Sequence, residues 1–118
     1  MTNEKPVFIQ IIDMIKDDIL SEVYAADDLI ISIPQISKLL SVNPTTAQKA
    51  ISLLVERGFL YKKRGVGMAV TIEAKDMILQ ERQDIFHKQI VPDFISAAKK
   101  IGIPNNSLMQ IIKENLDD

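Results

Sequence analysis

A chain of 118 residues, 47% of them apolar, is long enough for one domain, or one small domain with a short appendage, and apolar enough to bury a core. The absence of cysteine excludes disulfides and thiolate metal sites. No apolar run reaches membrane-span length, and the opening MTNEKP lacks the basic and apolar regions of a secretory leader, so a cytoplasmic protein is expected. The net charge of −2 hides a polarised chain: residues 1–33 carry two lysines against seven acidic residues, residues 34–72 carry six basic residues against Glu56 alone, and residues 73–118 carry six basic against eight acidic. A basic middle third offers one surface to phosphate while the rest repels it.

The first helix is predicted to begin at Pro6, with Phe8 or Ile9, Ile12, Ile15 and Ile19 at helical spacing. From Ser21 to Ile31 that order is lost and a loop is expected, ending in the apolar run Ile30, Ile31, Ile33, which extends briefly or packs beneath the next helix. Ser32 opens a second helix. Ser32 and Gln35 have the spacing of a capping box, Pro34 lies in the tolerant first turn, and Ile33, Ile36, Leu39 and Leu40 form the expected buried side.

Ser41 and Val42 leave only a tight turn before Asn43 starts the third helix, within the stretch VNPTTAQKAI that the rest of the chain is built around. Asn43 is a good N-cap and Pro44 suits the first helical position. Ala47, Ala50, Ile51, Leu54 and Val55 recur on one stripe. Thr45, Thr46, Gln48, Lys49 and Ser52 are left on the opposite face, none of them acidic. Two short helices joined this closely make a helix-turn-helix, and the second is suited to a DNA major groove.

The third helix ends at Gly58. Phe59 to Lys63 favours a strand, Arg64-Gly65-Val66-Gly67 a turn, and Met68 to Ile72 the returning strand. A hairpin tipped with lysine, arginine and glycine beside a helix-turn-helix is a wing. From Ala74 the composition turns helical: Met77, Ile78, Ile85, Phe86 and Ile90 form one apolar side, and Pro92 is expected to end or kink that helix. Phe94, Ile95, Ala98 and Ile101 continue the pattern to Gly102, and Pro104 to Ser107 starts a last helix bearing Leu108, Ile111, Ile112 and Leu116. Helices this short need something to lie against, and a second copy of the chain is the expected partner, since symmetric DNA sites are read by two-fold dimers. The expected architecture is mainly α with a small β-hairpin: a winged helix-turn-helix DNA-binding domain over residues 1–73 and a helical dimerisation region over residues 74–118.

These stretches resemble the GntR family of bacterial transcriptional regulators. The matching residues are Pro6 to Ile11, Val42 to Ile51, Leu53 to Gly58 with Phe59-Leu60, and Lys62 to Val70, the last similar to the family's closing "rrGkGtfV". The short helical tail and the VNPTT helix start resemble the small YtrA-like branch. The resemblance implies a homodimeric repressor of a near-palindromic operator, controlling its own operon and a transporter of the ABC type. The chain departs from the family pattern in carrying Asp27-Asp28 in place of Gly-Asp, and Pro34, Pro44 and Gln48 where arginine is common. A different operator is therefore expected.

The expected DNA contacts are Asn43, Thr45, Thr46, Gln48 and Lys49 on the recognition helix. Thr45 and Thr46 offer hydroxyls and free backbone N–H groups to phosphate, Gln48 pairs with adenine, and Lys49 meets guanine or phosphate. Ser32 and Gln35 serve as caps and as backbone contacts. Lys62 and Lys63 meet phosphate, with Arg64 and Gly65 at the minor groove. No enzyme chemistry is legible: His87 is the sole histidine and has no clustered ligands, Asp27-Asp28 and Asp117-Asp118 form no acid–base pair, and Gly65-Val66-Gly67 does not precede a helix. No cofactor or metal is expected. The alternative reading is a winged-helix interaction module or adaptor without specific DNA binding. A small effector held between tail helices is a further partner that no residue pattern identifies.

Overall fold

The computed structural model describes residues 5–116. The stretch Met1–Glu4, part of the opening read above for a leader, and the Asp117-Asp118 pair lie outside them. The chain divides into two units, residues 1–80 and 81–118.

In the first unit, α1 (Val7–Leu20) turns Ile11, Ile12, Ile15 and Ile19 inward. Lys16 is buried with them, its ammonium 4.6 Å from the centroid of the Phe59 ring. The aliphatic stem packs while the ring face receives the charge. The second helix, α2 (Ile33–Leu40), starts on a complete capping box: the Gln35 N–H donates to Ser32 Oγ at 3.2 Å and the Ser32 N–H to Gln35 Oε1 at 2.7 Å.

The buried side expected for α2 is narrower than the spacing implies. Ile36 is fully buried and Ile33 half-buried, but Leu39 is 68% and Leu40 37% exposed. The two-turn helix rests on α3 with Ile36 covered and Leu39 left outside the contact. Periodicity gives the direction of an apolar stripe; the neighbour's shape decides how much of it is covered.

Ser41, in the left-handed conformation at φ 54°, reverses the chain. The Ser37 hydroxyl and the Val42 N–H then tie the turn back to α2, donating respectively to the Val42 and Ser37 carbonyls at 2.5 and 3.1 Å. In α3 (Pro44–Glu56), Ala47, Ala50, Ile51 and Leu54 are buried and Val55 is half-buried. Two alanines on that face let α1 and α2 approach closely. Gly58, at φ +88°, ends the helix in a conformation that an L side chain resists.

The hairpin pairs β1 (Leu60–Lys63) with β2 (Gly67–Val70) in antiparallel register, Leu60 opposite Val70 and Lys63 opposite Gly67. Both strands are shorter than expected, with Phe59, Thr71 and Ile72 outside the ladder. The expected loop before α2 contains a short extended piece along the free edge of β2. Leu29 bridges to Ala69, and hydrogen bonds run from Asp27 N–H to the Val70 carbonyl, Val70 N–H to Asp28, and Ile30 N–H to Met68, at 2.8 to 3.0 Å. Those backbone groups of β2 would otherwise lack partners. Ala74 and Ile78 of α4 (Ala74–Ile85) complete this unit's core.

The second unit contains the end of α4, a π-helical segment at Phe86–Ile90, α5 (Val91–Lys100) and α6 (Asn105–Asn115). Of the two outcomes expected at Pro92, an end or a kink, the helix does not end there, and its regular winding is interrupted just before the proline by the π-helical turn. Ile90 and Val91 keep right-handed helical dihedrals into it, and the Val91 N–H reaches back to the Phe86 carbonyl. The wider π turn accommodates a proline ring that would clash with the preceding turn of a regular α-helix. Gly102, at φ +74°, turns the chain from α5 towards α6. Among the described residues of this unit only Ala98 and Leu108 are buried apolar residues. Phe86, Ile90, Phe94, Leu108, Met109 and Ile112 line an open apolar cleft of about 670 Å³.

Candidate nucleic-acid interface

The α3 N-terminus is capped from within. Asn43 Oδ1 accepts from the Thr45 N–H at 2.8 Å, and the Asn43 carbonyl accepts from the Thr46 and Ala47 N–H groups at 2.9 and 3.1 Å. Pro44 has no N–H. The free backbone donors expected at Thr45 and Thr46 are therefore already bonded within the chain, and what these residues offer outward is hydroxyl groups. Thr45 is exposed and Thr46 half-buried. Asn43 keeps its amide N–H₂ as a donor.

Gln48 and Lys49 are both exposed, and each is oriented by a neighbour. Gln48 Nε2 donates to Ser52 Oγ at 3.0 Å. That bond uses one amide hydrogen and leaves the second, with Oε1, for a bidentate partner. The Lys49 ammonium sits 4.0 Å from the centroid of the Phe8 ring, drawn to the edge of α3 next to α1. Neither Ser52 nor Phe8 is among the site residues named above. A serine four residues beyond a glutamine on one helix face is a legible signal for the first; the second depends on how α1 crosses α3.

Ser32 and Gln35 are exposed, and their side chains are engaged in the capping box. The same chain segment carries Ile30, whose N–H bonds to Met68 of β2, so the start of α2 and the hairpin are held together. On the hairpin the two lysines separate. Lys62 is exposed, whereas Lys63 is half-buried, its ammonium 3.4 Å from the Asp27 carbonyl oxygen. Arg64 and Gly65 form the exposed tip, closed by a 2.9 Å bond from the Val66 N–H to the Lys63 carbonyl. Gly65 has φ +74° with open space where a Cβ would stand, so glycine is there for its backbone conformation.

Asp27 is a second neighbour that the sequence does not reveal. Its Oδ1 accepts from the Tyr61 hydroxyl at 2.8 Å across 34 residues of chain. This hydrogen bond, assisted by burial and the nearby charge, raises the Tyr61 phenol above its ordinary range. Among the described residues no group of three or more His, Asp or Glu could hold a metal ion, and no helix is long and apolar enough to cross a membrane.

Residues 9–70 match the family model of bacterial regulatory proteins, gntR family. The HTH-type transcriptional repressor YtrA of Bacillus subtilis is 26% identical over 109 residues, covering 92% of this chain and 83% of YtrA. A GntR family transcriptional regulator from Listeria monocytogenes superposes with a TM-score of 0.71 at 30% identity, over 97% of this chain and 98% of that one. The AraR DNA-binding domain, solved in complex with operator ORR3, superposes with a TM-score of 0.56 at 27% identity, over 60% of this chain and 86% of that one.

Proposed function

The chain belongs to the GntR family of bacterial regulatory proteins, and from that premise we propose that it is a cytoplasmic, homodimeric repressor that binds a near-palindromic operator, its own promoter region included. The observation that carries this reading is the acid-poor outer face of α3, presented in the element order shared with a domain solved on its operator. Similarity to a repressor over most of both chains supports the sign of regulation.

In this reading α3 enters the major groove. Gln48, steadied by Ser52, pairs with adenine through Oε1 and its remaining N–H. Thr45 and Thr46 give hydroxyl contacts and Asn43 its amide nitrogen. The position of Lys49 against Phe8, at the edge of the helix, favours phosphate over guanine. Ser32 and Gln35 only accept in their capping box, so the serine hydroxyl and the glutamine amide N–H₂ remain to donate to the DNA backbone. Lys62 and Lys63 meet phosphates, and Arg64 and Gly65 reach the minor groove.

The helical region of residues 74–118 serves as the dimerisation element. Helices that bury so little of their own apolar surface gain most by covering it with the same surface of a second copy. The apolar cleft is the part of that surface in which an effector would also lodge.

Fluorescence anisotropy with DNA from upstream of the protein's own gene, titrated across salt beside scrambled DNA, tests the reading. Selective binding that weakens steeply with salt is expected. Lys62→Ala weakens binding to all sequences alike and flattens the salt slope, whereas Gln48→Ala costs about 1–3 kcal/mol at a single base position. Equal, feeble binding to both DNAs would replace the repressor with an interaction module.

A further inference from the structure

We infer that Asp27 and Tyr61 form a latch that sets the position of the wing, making Asp27 a positioning residue for DNA recognition although it lies outside both the recognition helix and the hairpin; this rests on the DNA-binding reading above.

Three chain segments run side by side at one level: Tyr61 of β1 opposite Ala69 of β2, and Ala69 bridged to Leu29. The backbone of residues 27–30 bonds to β2, the inner strand of the hairpin. Asp27 reaches one strand further. Its carboxylate accepts from the Tyr61 hydroxyl at 2.8 Å and its carbonyl from the Lys63 ammonium at 3.4 Å, so both contacts fall on β1. Lys63 immediately precedes the Arg64-Gly65 tip, where a small rotation of the hairpin is carried to the residues meant for the groove.

A two-stranded hairpin is marginal alone and takes a larger twist than a wider sheet. Backbone bonds to β2 hold one edge, and a contact on β1 is what resists that twist. The backbone serves the same end. Asp27 stands at φ +67°, where few residues other than glycine, asparagine and aspartate are tolerated. The adjacent carboxylate, Asp28 Oδ2, accepts from the Ala25 N–H at 2.8 Å and closes the preceding turn. Asp27 and Tyr61 are respectively exposed and half-buried. A hydrogen bond at such a site contributes little to global stability, so its consequence is geometric.

The test combines two readouts on the full chain. Hydrogen exchange follows the hairpin amides, Val66 among them, together with the Ile30 amide that bonds to β2. Anisotropy on the DNA fragment bound by the wild type measures the loss caused by Arg64→Ala in each background. Tyr61→Phe removes the donor, Asp27→Gly removes the acceptor but keeps the left-handed backbone, and Asp27→Asn keeps both the backbone and an accepting oxygen. Exchange of the hairpin amides is expected to quicken in Tyr61→Phe and Asp27→Gly, with α1 and α3 unchanged, and to return towards wild type in Asp27→Asn. The loss from Arg64→Ala is expected to shrink from about tenfold in the wild type to about twofold in the two unlatched variants. Unchanged hairpin exchange, or a full Arg64→Ala loss without the latch, overturns the inference. A wild type with no selective DNA binding sinks the operator reading instead, and hydrogen exchange still decides whether the latch holds the wing.

Discussion

At the scale of single residues, the candidate interface is a set of polar side chains whose freedom has been reduced by a neighbour. Gln48 is held by Ser52, Lys49 by Phe8, Lys63 by the Asp27 carbonyl, and Tyr61 by the Asp27 carboxylate. Restricting a side chain before binding reduces the entropy lost on contact. The Tyr61 bond has a pH signature. A phenol donates only while protonated, and the folded chain holds that proton more tightly than the unfolded one. The bond's contribution is therefore complete below the ordinary tyrosine value of about 10 and is lost as pH rises through the higher folded value. Tyrosinate absorbance should show a group titrating above that value, absent in Tyr61→Phe and brought down in Asp27→Gly; an unmoved titration in Asp27→Gly would remove the carboxylate as the cause. Of these pairs, only Gln48 with Ser52 lies within one helix, and only that pair is legible from spacing.

At the scale of elements, the helix starts were the most readable feature. A capping box needs two side chains three residues apart, and the structure forms both of its hydrogen bonds at Ser32 and Gln35. Ser32→Ala should cost about 0.5–2 kcal/mol of stability in urea unfolding. The buried face of α2 was less readable, because burial depends on the element packed against it. Ile36→Ala should cost roughly 2–5 kcal/mol, whereas Leu39→Ala should stay within about 0.5 kcal/mol. Equal costs would mean that Leu39 is covered in solution. Pro92 shows the same limit from the other side: a proline inside a helical pattern reads as an end or a kink, and the π-helical segment before it shows that the helix continues.

At the scale of the molecule, charge and apolar surface are divided along the chain. The net positive charge is confined to residues 34–72, where Glu56 is the one acidic residue, and the exposed large apolar side chains of the second unit, Phe86 at 52% and Ile101 at 75% among them, are the surface proposed for dimerisation. Placing a charge on that surface with Phe94→Asp should yield monomers in sedimentation velocity while the far-ultraviolet dichroism of the helices persists. Operator affinity should fall with it, since two half-sites would no longer be bound together. A Phe94→Asp chain that remains dimeric would move the interface elsewhere.

The sequence by itself determined what depends on short stretches of chain: the helix starts, the tight turn between α2 and α3, the basic hairpin, the polarised charge and the family resemblance. Each rests on residues a few positions apart, whose hydrogen bonding and periodicity are local. Only the tertiary structure decided which of the exposed residues are already engaged. The Lys49 ammonium lies over the Phe8 ring, the β2 edge is paired by residues 27–30, and Asp27 meets Tyr61 across the hairpin. Those contacts follow from how helices and strands cross, and a residue type carries no record of the neighbour that packing brings to it.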